Sequence, residues 1–131
     1  MSRDQLPHRK ASRGYIAETR KECGGNLHGY IYALVKINES KPESFMLSYS
    51  DDKEFYLNEK SVQYIGVTNN PIARFQAHRT EKDKKIGMVI FDEASNPAEG
   101  KMLEATAIYN YCQTKGKGPT FQKGHDTWSG A

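Results

Sequence analysis

The sequence predicts a small α+β domain, a short sheet covered by helices. Three observations lead there. The chain has 131 residues, the size of one ordinary domain. Its apolar residues cluster in short runs rich in β-branched and aromatic side chains. Two Asn-Pro helix starts fall between and after those runs, giving the order strand, strand, helix, strand, helix.

The first 25 residues form a basic arm. Arg3, Arg9, Lys10, Arg13, Arg20 and Lys21 stand there against Asp4, Glu18 and Glu22. The net charge of +3 therefore sits in the arm, and the rest of the chain is neutral. Pro7, Gly14, Gly24 and Gly25 punctuate this stretch, so its first dozen residues are expected to be loosely ordered. The arm is either a solvated tail or a phosphate-contacting segment.

Gly29 to Ile37 reads as a mostly buried strand, because Tyr, Ile, Leu and Val dominate it. Residues 38–60 turn acidic, with six Asp/Glu against three Lys. Within them, Phe45 to Tyr49 and Glu54 to Leu57 flank a turn at Ser50 to Lys53, the pattern of an extra small hairpin. Ser61 to Val67 is the next strand. Asn70 can cap a helix with Pro71 at its first position, and that helix runs to about Arg79 with Ile72, Phe75 and Ala73 inward. Ile86 to Phe91 is apolar throughout and belongs at the centre of a sheet. Asn96, Pro97 and Glu99 form a capping-box pattern. The helix they start runs to about Gln113, with Met102, Ala105, Ile108, Tyr109 and Cys112 as its apolar stripe, before Gly116, Gly118 and Pro119 end it. Residues 123–131 form a polar tail.

Several function classes are excluded at this level. No apolar run approaches the roughly 20 residues needed to span a bilayer, and Met1 to Gln5 opens no signal-like apolar segment. The expectation is a cytoplasmic protein without a membrane partner. Cys23 and Cys112 lie far apart, which suits reduced thiols, and no Cys/His spacing suggests zinc.

Five polar residues form an ordered set. Tyr32 and Tyr64 lie on neighbouring strands, and Arg74 and His78 are four apart on the first helix. Glu104 lies midway along the second helix, between Leu103 and Ala105. Singly, each suits a core tyrosine or a solvated helix face. Together they suit phosphodiester chemistry. A single carboxylate can hold Mg2+ with several waters. An Arg fork neutralises phosphate charge, and a phenol or imidazole can relay a proton from water.

Gly29-Tyr30-Ile31-Tyr32 followed by Tyr64-Ile65-Gly66 resembles the paired signature of the GIY-YIG nuclease superfamily. Arg74, His78 and Glu104 follow in that family's order, and the resemblance covers residues 26–122. It implies a three-stranded antiparallel sheet flanked by helices, with residues 38–60 as an insertion in the first hairpin. It also implies a DNA endonuclease with one Mg2+ per site, for which Mn2+ can substitute. Tyr32 would be general base or water-positioning residue, and Tyr64 would line the site. Arg74 would grip the scissile phosphate, His78 would support the proton relay, and Glu104 would ligate the metal. Gly66 would leave room beside the substrate strand. Gln122 stands where the family often has Asn, and the glycine of the first motif is displaced by Tyr30.

Arg79, Lys82, Lys84, Lys85, Lys115 and Lys117 supply local basic patches for nucleic acid. RNA stays open beside DNA as substrate. A single site cuts one strand, so double-strand cleavage calls for a homodimer or sequential nicks. Two other readings compete: a catalytically inactive nucleic-acid-binding module on the same fold, and a protein-interaction domain using the acidic insertion.

Overall fold

The computed structural model describes residues 29–37, 47–81 and 85–120, and the backbone of 8–10. The elements are β1 (His8–Lys10), β2 (Gly29–Lys36), β3 (Leu47–Ser50), α1 (Phe55–Asn58), β4 (Val62–Thr68), α2 (Pro71–Glu81), β5 (Ile86–Ala94) and α3 (Pro97–Lys115). The strands form one sheet in the order β1-β3-β5-β2-β4.

This architecture is α+β, but it overturns the expectation of three antiparallel strands. β4, β2 and β5 do form an antiparallel trio. β3 then pairs parallel to β5, with Leu47 opposite Met88 and Tyr49 opposite Ile90, and β1 pairs antiparallel to β3. The sheet is therefore mixed. The physical reason lies in β5. Ile86, Met88, Val89, Ile90 and Phe91 are all buried, so both faces of this strand are covered. A strand of that kind left at an edge would expose its backbone ladder to water or to other chains. β3 and β1 cover that side, and β5 takes the centre, as its composition predicts. Thus residues 47–58, within the expected insertion, supply a strand of the sheet and a helix of the core, and residues 8–10 of the arm pair into the sheet.

The expected small hairpin is also corrected. Its first arm becomes β3, whereas its second falls in α1. Phe55 and Tyr56 are both buried against Phe91, with ring centroids 5.7 and 4.8 Å away. Adjacent residues of a strand point to opposite faces, so only a helical turn brings both to one core. Asp52 starts that turn. Its side chain accepts from the Glu54 N–H at 3.0 Å, and its carbonyl accepts from the Phe55 N–H at 3.2 Å.

Two cores result, one on each sheet face. Ile31, Ala33, Val35, Ile65 and Val89 pack under α1 and α3. Tyr30, Tyr32, Leu34, Met88 and Ile90 pack with Phe75 of α2. Alternate residues of β2 feed both, which explains its unbroken apolar run. The register between β2 and β5 shifts after Ile31, so Phe91 is the extra residue of a bulge.

The helix starts form as expected. Asn70 Oδ1 accepts from the Ala73 N–H at 3.2 Å. Asn96 Oδ1 accepts from the Glu99 N–H at 2.8 Å, while Glu99 reaches back to the Ser95 N–H rather than to that of Asn96. Gly116 closes α3 with φ 76°, the left-handed conformation glycine adopts freely. The buried stripe of α3 keeps Ile108 and Cys112 of the expected set and differs elsewhere. Met102 and Tyr109 are exposed, and Gly100, Ala107, Ile108, Tyr111 and Cys112 face inward. On α2, Ala73 is exposed and His78 is buried in its place. Among the described residues, no helix is long and apolar enough to cross a membrane.

Candidate active site

The site is built around β4. Tyr32 of β2 lies directly opposite Gly66 of β4, and Tyr64 precedes Gly66 by two residues. Period-two alternation therefore places both tyrosines on one face, toward α2. A Cβ at Gly66 would lie 2.6 Å from Tyr32 Oη and 2.7 Å from Tyr64 Cε2. Glycine is required here because two rings occupy the space a side chain would need. The resemblance assigned that space to the substrate strand, whereas it holds the site's own tyrosines, whose ring centroids are 6.1 Å apart.

α2 follows β4 after a two-residue turn. Thr68 Oγ1 accepts from the Asn70 N–H at 3.1 Å, and the cap at Asn70 aims the helix back across the sheet. Its residues Arg74 and His78 then reach the tyrosines. Tyr32 Oη lies 2.8 Å from His78 Nε2, and both residues are buried. The His78 ring centroid is 5.1 Å from that of Tyr64. Arg74 is exposed and donates a side-chain hydrogen bond to Tyr32. Burial pushes the Tyr32 phenol far above its usual range, the Tyr64 ring adds to this, and Arg74 opposes it. Tyr64 is raised as well, by burial and then by the charge of Glu104.

Glu104 arrives from the opposite face. It stands one turn beyond Gly100 and one turn before Ile108, both buried, so its position on α3 faces the sheet. The carboxylate is half-buried and accepts a hydrogen bond from the Val67 backbone on β4. Its charge acts on both Tyr32 and Tyr64. Burial raises the Glu104 carboxyl above its usual range, with the Val67 bond and the Lys101 charge opposing. Tyr32, Tyr64, Arg74 and His78 thus come together on the α2 face of the sheet, while Glu104 approaches β4 from the α3 face.

Among the described residues, no three His, Cys, Asp or Glu side chains gather as a metal cluster. A lone carboxylate can hold only an ion that keeps most of its water, as Mg2+ does. A half-buried carboxylate whose charged form is penalised by burial gains from such a cation, so Glu104 fits that role.

The remaining candidates are dispersed. Arg79 is half-buried with its guanidinium 5.6 Å over the Phe75 ring and its buried Nε without a hydrogen-bond partner. Lys85 is exposed at the start of β5. Lys115 lies roughly 16 Å beyond Glu104 along α3, and Lys117 follows it, exposed. Lys82, Lys84 and Gln122 lie outside the described residues. Sequence reasoning missed Lys101, although its place three residues before Glu104 on a helix was readable. It also missed the Val67 N–H, for which no sequence signal exists. No protein-family model, curated protein or solved structure matches the chain.

Proposed function

We propose that the chain is a Mg2+-dependent endonuclease that hydrolyses phosphodiester bonds in DNA. The observation that carries this reading is the shared phenol. Tyr32 Oη lies 2.8 Å from His78 Nε2 and takes a hydrogen bond from Arg74, and the charge of Glu104 acts on both Tyr32 and Tyr64.

The chemistry follows from those contacts. Arg74 is the exposed member, so it meets a phosphate first and takes its non-bridging oxygens in charge-assisted hydrogen bonds. In leaving the phenol, it uncovers a Tyr32 side chain that is only 1% exposed. Tyr32 stays protonated at neutral pH, because burial raises it. It accepts a proton from the attacking water only as it passes its own to His78 Nε2. The water O–H and the Tyr32 O–H break while a new Tyr32 O–H and a His78 N–H form. The water oxygen bonds phosphorus, and the leaving sugar oxygen departs with a proton from solvent. Glu104 would hold the Mg2+, which when bound neutralises charge on the phosphate and leaving oxygen. Lys101 adds positive charge beside Glu104.

The burial of Tyr32 and His78 favours one second reading. There the pair pins α2 to the sheet, and the chain is a nucleic-acid-binding module without turnover.

Cleavage of supercoiled plasmid with Mg2+ separates the two. Wild-type protein is expected to give nicked or linear product, abolished by EDTA. Tyr32→Phe is expected to lose about 10²–10⁴-fold in rate, and Arg74→Ala about 10²–10³-fold. A Glu104→Ala protein that still cuts at the wild-type rate would sink the metal assignment. Salt-sensitive gel-shift binding without cleavage by any protein would select the binding module.

A further inference from the structure

We propose that Arg79 is a second phosphate-binding residue, holding a backbone phosphate of the nucleic acid other than the one at Arg74. The inference deepens the nuclease reading and rests on its substrate class.

Arg79 lies in the last turn of α2. Its Cζ stands 5.6 Å from the centroid of the Phe75 ring, one turn earlier on the same helix. Phe75 is only 7% exposed and belongs to the core that contains Tyr32 and is packed by Tyr64. The ring is therefore fixed, and the guanidinium rests on a rigid surface. Arg79 is half-buried, yet its Nε is enclosed and has no hydrogen-bond partner. Among the described residues Lys53 pairs with Asp92 at 3.3 Å, while Arg79 pairs with no carboxylate.

Such a group is costly to keep. An enclosed donor on a charged group, left without an acceptor, loses more than the net worth of the missing bond. A guanidinium also keeps its charge at any ordinary pH, so it cannot answer burial by neutralising as a lysine can. The carbonyls at the end of α2 favour a cation in this turn. They account for the charge, but an exposed lysine would serve them and leave no N–H unmet. The fork lying against an aromatic ring calls for a different account. A phosphate supplies several acceptor oxygens and the missing negative charge. Contact with Phe75 restrains the fork beforehand, so little side-chain freedom is lost on binding.

Helix geometry separates this contact from the first. Arg79 follows Arg74 by five residues, roughly 7.5 Å along α2 and about 140° around it. Phe75 and His78, both buried, lie between them in the chain. The two arginines therefore flank the buried side of α2 from opposite sides, and each meets a different phosphate.

The experiment measures binding of a short DNA duplex to the full chain in EDTA, so that no cleavage intervenes, over a range of salt. Arg79→Met keeps the apolar stem against Phe75 and removes the charge, and its thermal melt reports the fold. The dependence of its log Kd on log salt should be shallower than that of wild type by about 0.9, the loss of one phosphate contact. Single methylphosphonate linkages, each of which removes one phosphate charge, should locate that contact. One position should weaken wild type about tenfold and leave Arg79→Met unaffected. It should differ from the position to which Arg74→Met is insensitive. An unchanged slope and no such position, in a folded Arg79→Met protein, overturn the proposal and leave Arg79 a packing residue. Should Arg79→Met fail to fold, the Arg79 Nε–H signal of wild-type protein decides by NMR, and a signal that the duplex does not move overturns the proposal. The nuclease reading fails separately. If Mg2+ brings no cleavage while slope and scan behave as stated, Arg79 stands as a phosphate contact of a binding module. If wild type binds neither duplex nor single-stranded DNA, both fall.

Discussion

At the residue scale, Glu104 carries opposing demands. Its place on the inward side of α3 puts an ionisable group among Gly100, Ala107 and Ile108, where burial disfavours charge. A group with no task there would cost the fold stability for nothing in return. Because the folded carboxyl is raised above its ordinary value, the native state binds its proton more readily than the unfolded chain does. Stability from this group is therefore greatest at acid pH and falls as pH rises from about 4.5 through the raised folded value. Glu104→Gln, which removes the charge and keeps the shape, is expected to leave the melting temperature at pH 7.5 unchanged or higher while abolishing Mg2+-dependent cleavage. Thermal melts of both proteins across pH 4–8 check this. A marked drop for the Gln variant at neutral pH would show that the carboxylate is structural. Tyr32 and Tyr64 share the other half of this scale. Their positions were readable from the paired motif, but the reason Gly66 stands between them was not, since only the cross-strand register brings Tyr32 Oη over its Cα.

At the element scale, α2 and α3 act as brackets that deliver site residues from opposite faces of the sheet. Their starts were legible because capping is local. Asn70 and Asn96 each accept from an N–H three residues on, and both stand beside a proline. Which face of α3 turns inward was not legible. Met102 and Tyr109 matched the helical spacing as well as Tyr111 and Ala107 did, and the sheet chose the latter. The cap at Asn96 sets where α3 begins and hence where Glu104 lies along the sheet. Asn96→Ala is expected to cost about 1 kcal/mol in urea unfolding, with Tyr32, Arg74 and His78 unaffected because they belong to other elements. A loss beyond about 3 kcal/mol would mean that Asn96 does more than cap.

At the scale of the whole molecule, residues 47–58 decide the architecture. They supply β3, which flanks β5, and α1, which covers Phe91. Replacing them with a short turn would leave β5 at an edge and strip Phe55 and Tyr56 from the core. The expected outcome is loss of cooperative thermal unfolding and of dispersed amide signals. A shortened protein that melts as sharply as the full chain would instead restore this segment to the status of an optional insertion.

The sequence by itself determined where the main strands and the two long helices lie, how those helices begin, and the order of Tyr32, Tyr64, Arg74, His78 and Glu104. These follow from neighbours in the chain: apolar runs, Asn-Pro starts and helical spacing. Tertiary structure alone decided the parallel seat of β3, the helical state of Phe55 and Tyr56, the inward turn of Glu104 and its bond to Val67. Each of these depends on which distant segments close upon one another, and the free energy that selects among such pairings is that of the assembled core. Local propensity carries no record of it.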